Sequence, residues 1–481
     1  MSIPCDRGRR VALQEHSWVM TTPIPWGHRL AYAAPAFALA VVGIPLYVYI
    51  PKFYTDVVGA DIALVGFVLL AIRLFDAVSD PLIGALSDRT RSPFGRRRPW
   101  IALGVPPLVL GLYFLFTPPA LGPEAALLWF GTGMFVVFFA WTAITVPYES
   151  LGAEITSDYD ERTSILALRD GALILGTILA AASPALIQGV LGLEPGAEGE
   201  RQKFRAVALS YAPLVLFACL ACVLLVKERH GYRRATAFPN LRTLQERLQN
   251  RPFRILLASY TIAAIGSNLP ATLIPYYVDY VIGDPNVEQY LLLYFLTGVL
   301  LLPFWVRLAR RVGKKPAWLA AAALNSVTFA GVFFLGPGDS QAYAVLVVAS
   351  GLGFGATLAL PSAMQADVID YEEVRTGERK EGEIIGLWAV SKKLAAAFGV
   401  FIAFPILGAV GYVPNAAQPE AVVLTLKVLY ALVPSLFNLL GLWVAWHYPI
   451  DRAAHERILA AAAARRAGRP FEDPLEAPAR P

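Results

Sequence analysis

Two aspartates four residues apart, Asp76 and Asp80, stand inside a long apolar run that also carries Arg73. A charged group at the centre of a membrane-length helix costs about 2.5–3.5 kcal/mol on insertion scales. On a helix the spacing places Asp76 and Asp80 a turn apart on one face, and Arg73, three residues before Asp76, shares it. Two acids and one base leave a negative charge uncompensated in a low-dielectric place. One reading is an ion triad that fixes helix packing; the sharper one is a site that waits for a cation.

A second apolar run, Trp141 to Ser150, presents Thr142, Thr145 and Glu149 at i, i+3 and i+7, which is one helical face. Pro147 releases the carbonyl of Ala143 from its helical bond. Two hydroxyls, a free carbonyl and a carboxylate on one face suit a polyol or an ion. The plain alternative is hydroxyls bonded back to their own helix and Glu149 in water at the helix end. The loop after the first acid-bearing run holds Asp88, Gly95 and the bases Arg96, Arg97 and Arg98, followed by Pro99.

The elements that must position these groups are long apolar helices. The chain has 481 residues, 56% of them hydrophobic and 16% charged, with mean hydropathy +0.53. Soluble domains carry about 25% charged residues, so the deficit points to many membrane spans. About twelve runs of roughly 20 residues follow one another, beginning near residues 30, 62, 100, 125, 167, 207, 253, 287, 316, 342, 384 and 421. With both tails on the cytoplasmic side, about 33 of the 41 Lys and Arg fall in segments on that side. Only Lys52, Arg201, Lys203 and Arg205 lie outside, and Arg73, Lys392, Lys393 and Lys427 lie within spans. The two halves echo each other. IPKFYTDVVG closes span 1 and IPYYVDYVIG closes span 7; Gly95-Arg96-Arg97-Arg98-Pro99 answers Gly313-Lys314-Lys315-Pro316; DYDERT from Asp158 answers DYEEVRT from Asp370. Three echoes in matching order imply a parallel six-plus-six repeat. The expected organisation is a tail (1–28), a six-helix bundle (29–226), a polar basic linker (227–252) with an amphipathic piece near Leu241 to Leu248, a second bundle (253–448), and a solvent-exposed tail (449–481) with an Ala-rich helix and a Pro-rich end.

The stretch DAVSDPLIGALSDRT, with GRRRPW after it, resembles the signature of glycoside–pentoside–hexuronide:cation symporters, a branch of the major facilitator superfamily. That resemblance implies a transporter with twelve transmembrane helices. It implies a coupling-cation site at Asp76 and Asp80 with Thr142, Ser79 standing where the family has an asparagine. It implies solute contacts from Arg169, reached with a one-residue gap, and from Lys392 in span 11, where Lys393 is extra; Trp388 is placed in the same set. Thr145 and Glu149 join it by position. The acids with which the family grips a sugar are here Ala40 and Thr145, so the cation half carries over more fully than the sugar half. Asp370, Arg379 and the basic loop, with Arg73 and Asp88, form the expected gating and structural set, pairing charges across the cytoplasmic mouth.

The expectation is therefore an all-α integral membrane protein of the facilitator fold, multi-pass in a bacterial-type cytoplasmic membrane, monomeric. It moves a sugar or other small polar solute with Na+ or H+ and uses no other cofactor. A lysolipid or similar amphipathic solute is the rival, to be recognised by an apolar side opening between spans 5 and 8. A non-transporting sensor would need an output domain, whereas the tails total only about 60 residues. An aspartyl dyad at Asp76 and Asp80 would make an intramembrane enzyme, which Arg73 and the repeat argue against. Cys219 and Cys222 lie in an apolar run without a nearby histidine and read as packing residues. The net charge of +5 sits in loops and implies no nucleic-acid partner.

Overall fold

The computed structural model describes residues 24–156, 159–228, 248–377 and 381–475. Arg379, the amphipathic piece of the linker before Leu248 and the Pro-rich chain end after Leu475 lie outside the described residues. The elements are helices: α1 (Trp26–Val58), α2 (Ile62–Arg89), α3 (Arg98–Phe116), α4 (Pro123–Glu154), α5 (Tyr159–Leu191), α6 (Ala197–Leu225), α7 (Arg251–Ile282), α8 (Val287–Val312), α9 (Lys314–Val332), α10 (Ser340–Thr376), α11 (Glu381–Ala409), α12 (Glu420–Trp446) and α13 (Arg452–Arg466). Eleven of them are long and apolar enough to cross a bilayer. The 19-residue α9 packs along α10 and α12 and completes twelve. Their outward faces carry exposed large apolar side chains such as Leu103, Leu110 and Phe217, as expected where lipid rather than water is the neighbour.

The internal echo of α1 and α7 is visible in the backbone. Both helices widen into π turns, Phe53–Val58 and Val278–Ile282, and both stop on a glycine of positive φ, Gly59 and Gly283. Their last turns meet at what we call the far end, opposite the chain termini. One apolar cluster there joins the halves, uniting Val48, Tyr49 and Ile62 with Tyr276, Phe404 and Tyr412. Close approach of α2 to α11 depends on Gly66, where a Cβ would stand 2.7 Å from Cβ of Phe404. At the terminal end the second half instead has a separate cluster made only of its own residues, Phe253, Trp318, Met364 and Trp388 among them.

The chain after Asp451 departs from the solvent-exposed tail expected of it. Asp451 caps α13 by accepting from the Ala454 N–H at 2.7 Å. The helix then buries Ala454, Ile458, Ala461 and Ala462 against the second half. Small side chains spaced three and four apart let a helix lie close on α10. Arg466 pairs with Glu373 at 2.6 Å and Tyr371 donates to Asp473 at 3.1 Å, so this segment is strapped to the end of α10.

Candidate cation and solute site

Helices α2, α4 and α11 build one polar cluster at mid-depth. The Thr142 hydroxyl lies 2.7 Å from Asp76 Oδ1 and 3.1 Å from Asp80 Oδ1. On their other side the Lys393 ammonium sits 3.0 Å from Asp76 Oδ2 and also binds Asp80 Oδ2. Asp76 and Thr142 are buried, at 5% and 1% exposure. Two corrections follow. Arg73 turns away from the carboxylates. It donates to the Tyr47 hydroxyl at 3.3 Å and lies over the Tyr47 and Phe138 rings at 4.2 and 5.0 Å, where cation–π attraction replaces the expected ion triad. Lys393, an extra residue by resemblance alone, is the base that neutralises one of the two acids, and it comes from the opposite half. Ser79 Oγ donates to the Asp76 carbonyl at 3.2 Å, a bond within its own helix.

One turn further along α4, Thr145 and Glu149 line a cavity of about 320 Å³, with Arg169 of α5 and with Ala40, Gly43 and Tyr47 of α1. Glu149 is exposed to this space and has no ion pair or hydrogen bond to a described residue. Arg169 holds its neighbour Asp170 through Nε at 2.9 Å and Nη2 at 2.7 Å. Thr145 Oγ1 is buried without a partner among the described residues. A carboxylate, a guanidinium and an unused hydroxyl around a wet hollow can accept from and donate to a ring of sugar hydroxyls. Tyr47, which lines the hollow, carried no signal beyond its place in an apolar run. Lys392 is exposed beside the cluster. Trp388 does not face the hollow: it is 8% exposed and stacks 4.2 Å from the Tyr260 ring in the core of the second half.

In the expected gate, the basic loop, Asp88 and Asp370 lie at the terminal end, and Arg379 is outside the described residues. At the terminal end the Arg97 guanidinium binds Asp88 and donates to Ser87 at 2.6 Å. Glu228, at the exit of α6, accepts from the backbone N–H of Arg96, Arg97 and Arg98 at 2.7, 2.8 and 2.7 Å. This carboxylate caps α3, and it was missed because only the fold brings it beside the loop. Gly95 has φ +100°, and a Cβ there would lie 2.5 Å from the Glu228 carboxyl carbon. In the second half Lys314 pairs with Asp367 at 2.5 Å, and His455 of α13 lies 3.4 Å from Asp370. Besides Lys393 on Asp76 and Asp80, the described pairs that cross between halves include a set at the far end. Lys52 bridges Asp56 at 3.0 Å and Asp279 at 2.5 Å. Asp56 also accepts from Tyr280 at 2.7 Å and from Tyr412 at 2.5 Å. Helices α5 and α8, between which an amphipathic solute would enter, are in contact with one another.

Twelve helices in two echoing halves, with a polar cluster and a hollow at mid-depth, define a membrane transporter of the major facilitator fold. The chain belongs to the family described as MFS/sugar transport protein, which matches residues 31–452. It is 27% identical to the glucuronide carrier protein homolog of Escherichia coli (strain K12), over 90% of this chain and 93% of that one. It is also 27% identical to the isoprimeverose transporter of Lactiplantibacillus pentosus, over 92% of each. Its fold is that of the nucleoside transporter NupG, with TM-score 0.64 at 12% identity over 88% of this chain and 99% of that one. The glycoside–pentoside–hexuronide:cation symporter signature of α2 agrees with this family, and the protein is a transporter rather than an enzyme.

Proposed function

We propose that the protein carries a sugar or glycoside together with Na+ or H+ across a bacterial cytoplasmic membrane, with both termini cytoplasmic and the monomer as the working unit. The cation is taken by Asp76, Asp80 and Thr142, and the solute by the hollow of Thr145, Glu149, Arg169 and Tyr47. The observation that carries this reading is Lys393, an ammonium from the second half seated between two carboxylates of the first. Two carboxylates and one ammonium keep one negative charge in excess, so a further cation is attracted. A proton on one carboxyl, or Na+ held by carboxylate and hydroxyl oxygens, competes with Lys393 for the same atoms. Weakening the Lys393 bridge loosens α11 from α2, and that couples cation uptake to rocking of the halves. Thr142 and Thr145 sit one turn apart on α4, so order imposed at the cation site reaches the solute hollow directly. Linkage then requires the solute to tighten cation binding by the same factor. The relatives named as carriers of a glucuronide and of isoprimeverose support the sugar class.

The test is concentrative uptake and counterflow in vesicles for Asp76→Asn and Asp80→Asn. Accumulation against the gradient should be lost while exchange partly survives, because the solute hollow remains. If both variants still concentrate solute, Asp76 and Asp80 are structural. A thermal-shift panel of glycosides, with and without Na+, identifies the pair of ligands, since a ligand bound by the folded state alone raises stability as RT ln(1 + [L]/Kd).

A further inference from the structure

A second hollow of about 950 Å³ lies at the terminal end of the second half, between the α8–α9 hairpin, α10 and the start of α13. Five bases line it: Arg310, Arg311, Lys314, Lys315 and Arg452. The carboxylates on its wall are already engaged. Asp367 holds Lys314 at 2.5 Å and His455 at 3.3 Å, and Asp451 caps α13. The Lys315 ammonium donates to the Tyr448 carbonyl at 2.8 Å. Arg310, Arg311 and Arg452 have no carboxylate partner among the described residues, and Arg452 donates to the Arg310 carbonyl, which holds these like charges together.

We propose that this hollow binds the phosphate headgroup of an anionic phospholipid of the phosphatidylglycerol or cardiolipin type. Guanidinium forks match phosphate oxygens in pairs, and a phosphodiester relieves the repulsion that no protein carboxylate relieves. A lipid is favoured over a soluble anion by what surrounds the bases. Val306, Leu360 and Trp446 form apolar walls. Trp446 and Trp443, both 66% exposed at the end of α12, mark the depth of a membrane interface. Along α8, Leu300, Phe304 and Arg311 fall on one stripe, with Leu300 and Phe304 68% and 51% exposed. A headgroup at Arg311 thus has its acyl chains running down an apolar track. The bound lipid ties the hairpin to α13 and makes stability of the second half depend on membrane composition.

The experiment uses the full-length protein in phosphatidylcholine nanodiscs, with phosphatidylglycerol, further phosphatidylcholine or sn-glycerol 3-phosphate added. Thermal unfolding and native mass spectrometry of retained lipid are read for the parent and for Arg310→Gln/Arg311→Gln/Arg452→Gln. Phosphatidylglycerol should raise the parent's Tm by several degrees and be retained, while the triple variant loses most of both. A control pair, Arg89→Gln/Arg91→Gln in the first half, should keep them. The single exposed change Arg311→Gln gives the same readout should the triple variant fail to fold. Equal protection of parent and variant overturns the site, and equal protection by glycerol phosphate overturns the lipid in favour of a small anion.

Discussion

The two ends of the molecule set similar residue types in different surroundings. At the far end the closing turns of α1 and α7, which are echoes of one another, bond across the halves. Lys52 reaches Asp279, and Asp56, 7% exposed, takes hydroxyls from Tyr280 and Tyr412. At the terminal end the pairs seen among the described residues of the echoed basic loops include Arg97 with Asp88 in the first half and Lys314 with Asp367 in the second. The same contrast appears in the apolar clusters, one shared by both halves at the far end and one confined to the second half at the terminal end. The far end is thus tied by bonds that run directly from one half to the other. An echoed charge pattern marks a place where bonds can form, and at the far end those bonds span the halves.

The largest effect that would break this comparison is at Asp56. Removing one partner of a buried ion pair costs about 3–5 kcal/mol; Lys52 is left with Asp279 alone, and Tyr280 and Tyr412 exchange a charged acceptor for a neutral one. Asp56→Asn should therefore shift the halves toward opening at the far end by tenfold or more, since about 1.4 kcal/mol suffices for each factor of ten. Cysteines placed beside Thr55 and Tyr276 would then label faster in the variant. Unchanged labelling would mean that the apolar cluster alone seals this end.

A smaller effect is expected at Glu228, whose carboxylate caps α3 inside the first half. Glu228→Gln should lower thermal stability by about 1.5–3 kcal/mol, the worth of hydrogen bonds to a charged group, without altering far-end labelling. Faster labelling there would show that the loop helps hold the cleft. Gly95→Ala should reproduce the same loss, because φ +100° and the carboxyl group 2.5 Å from the added Cβ both oppose a side chain.

The smallest effect concerns Glu161, just before the spanning part of α5. Burial works against its ionisation, yet the Ile24 N–H, the Thr156 hydroxyl and Arg29 more than offset that and hold it below the ordinary 4.5. A lowered carboxyl contributes stability that is complete above the ordinary value and fades as pH falls through the folded value. Parent and Glu161→Gln should thus differ in Tm near neutrality and converge in acid. A constant gap down to strongly acidic pH would assign the difference to hydrogen bonding alone.

Much of this was legible in the chain. Twelve apolar runs could only become spanning helices, because lipid leaves backbone groups no other partners. The repeat could be read because matching turns need matching residues, and Asp76, Asp80 and Thr142 could be named because charge and hydroxyl at that depth are costly. What the sequence alone could not decide was which charges meet. Arg73 is three residues from Asp76, yet it spends its charge on the rings of Tyr47 and Phe138. Lys393 is more than 300 residues from Asp80 and binds it. Glu228 and α13 likewise gained their roles from neighbours distant in sequence. Spacing along one helix fixes a shared face but not a partner; the partner is set by how α2, α4 and α11 pack, and that is a property of the tertiary structure.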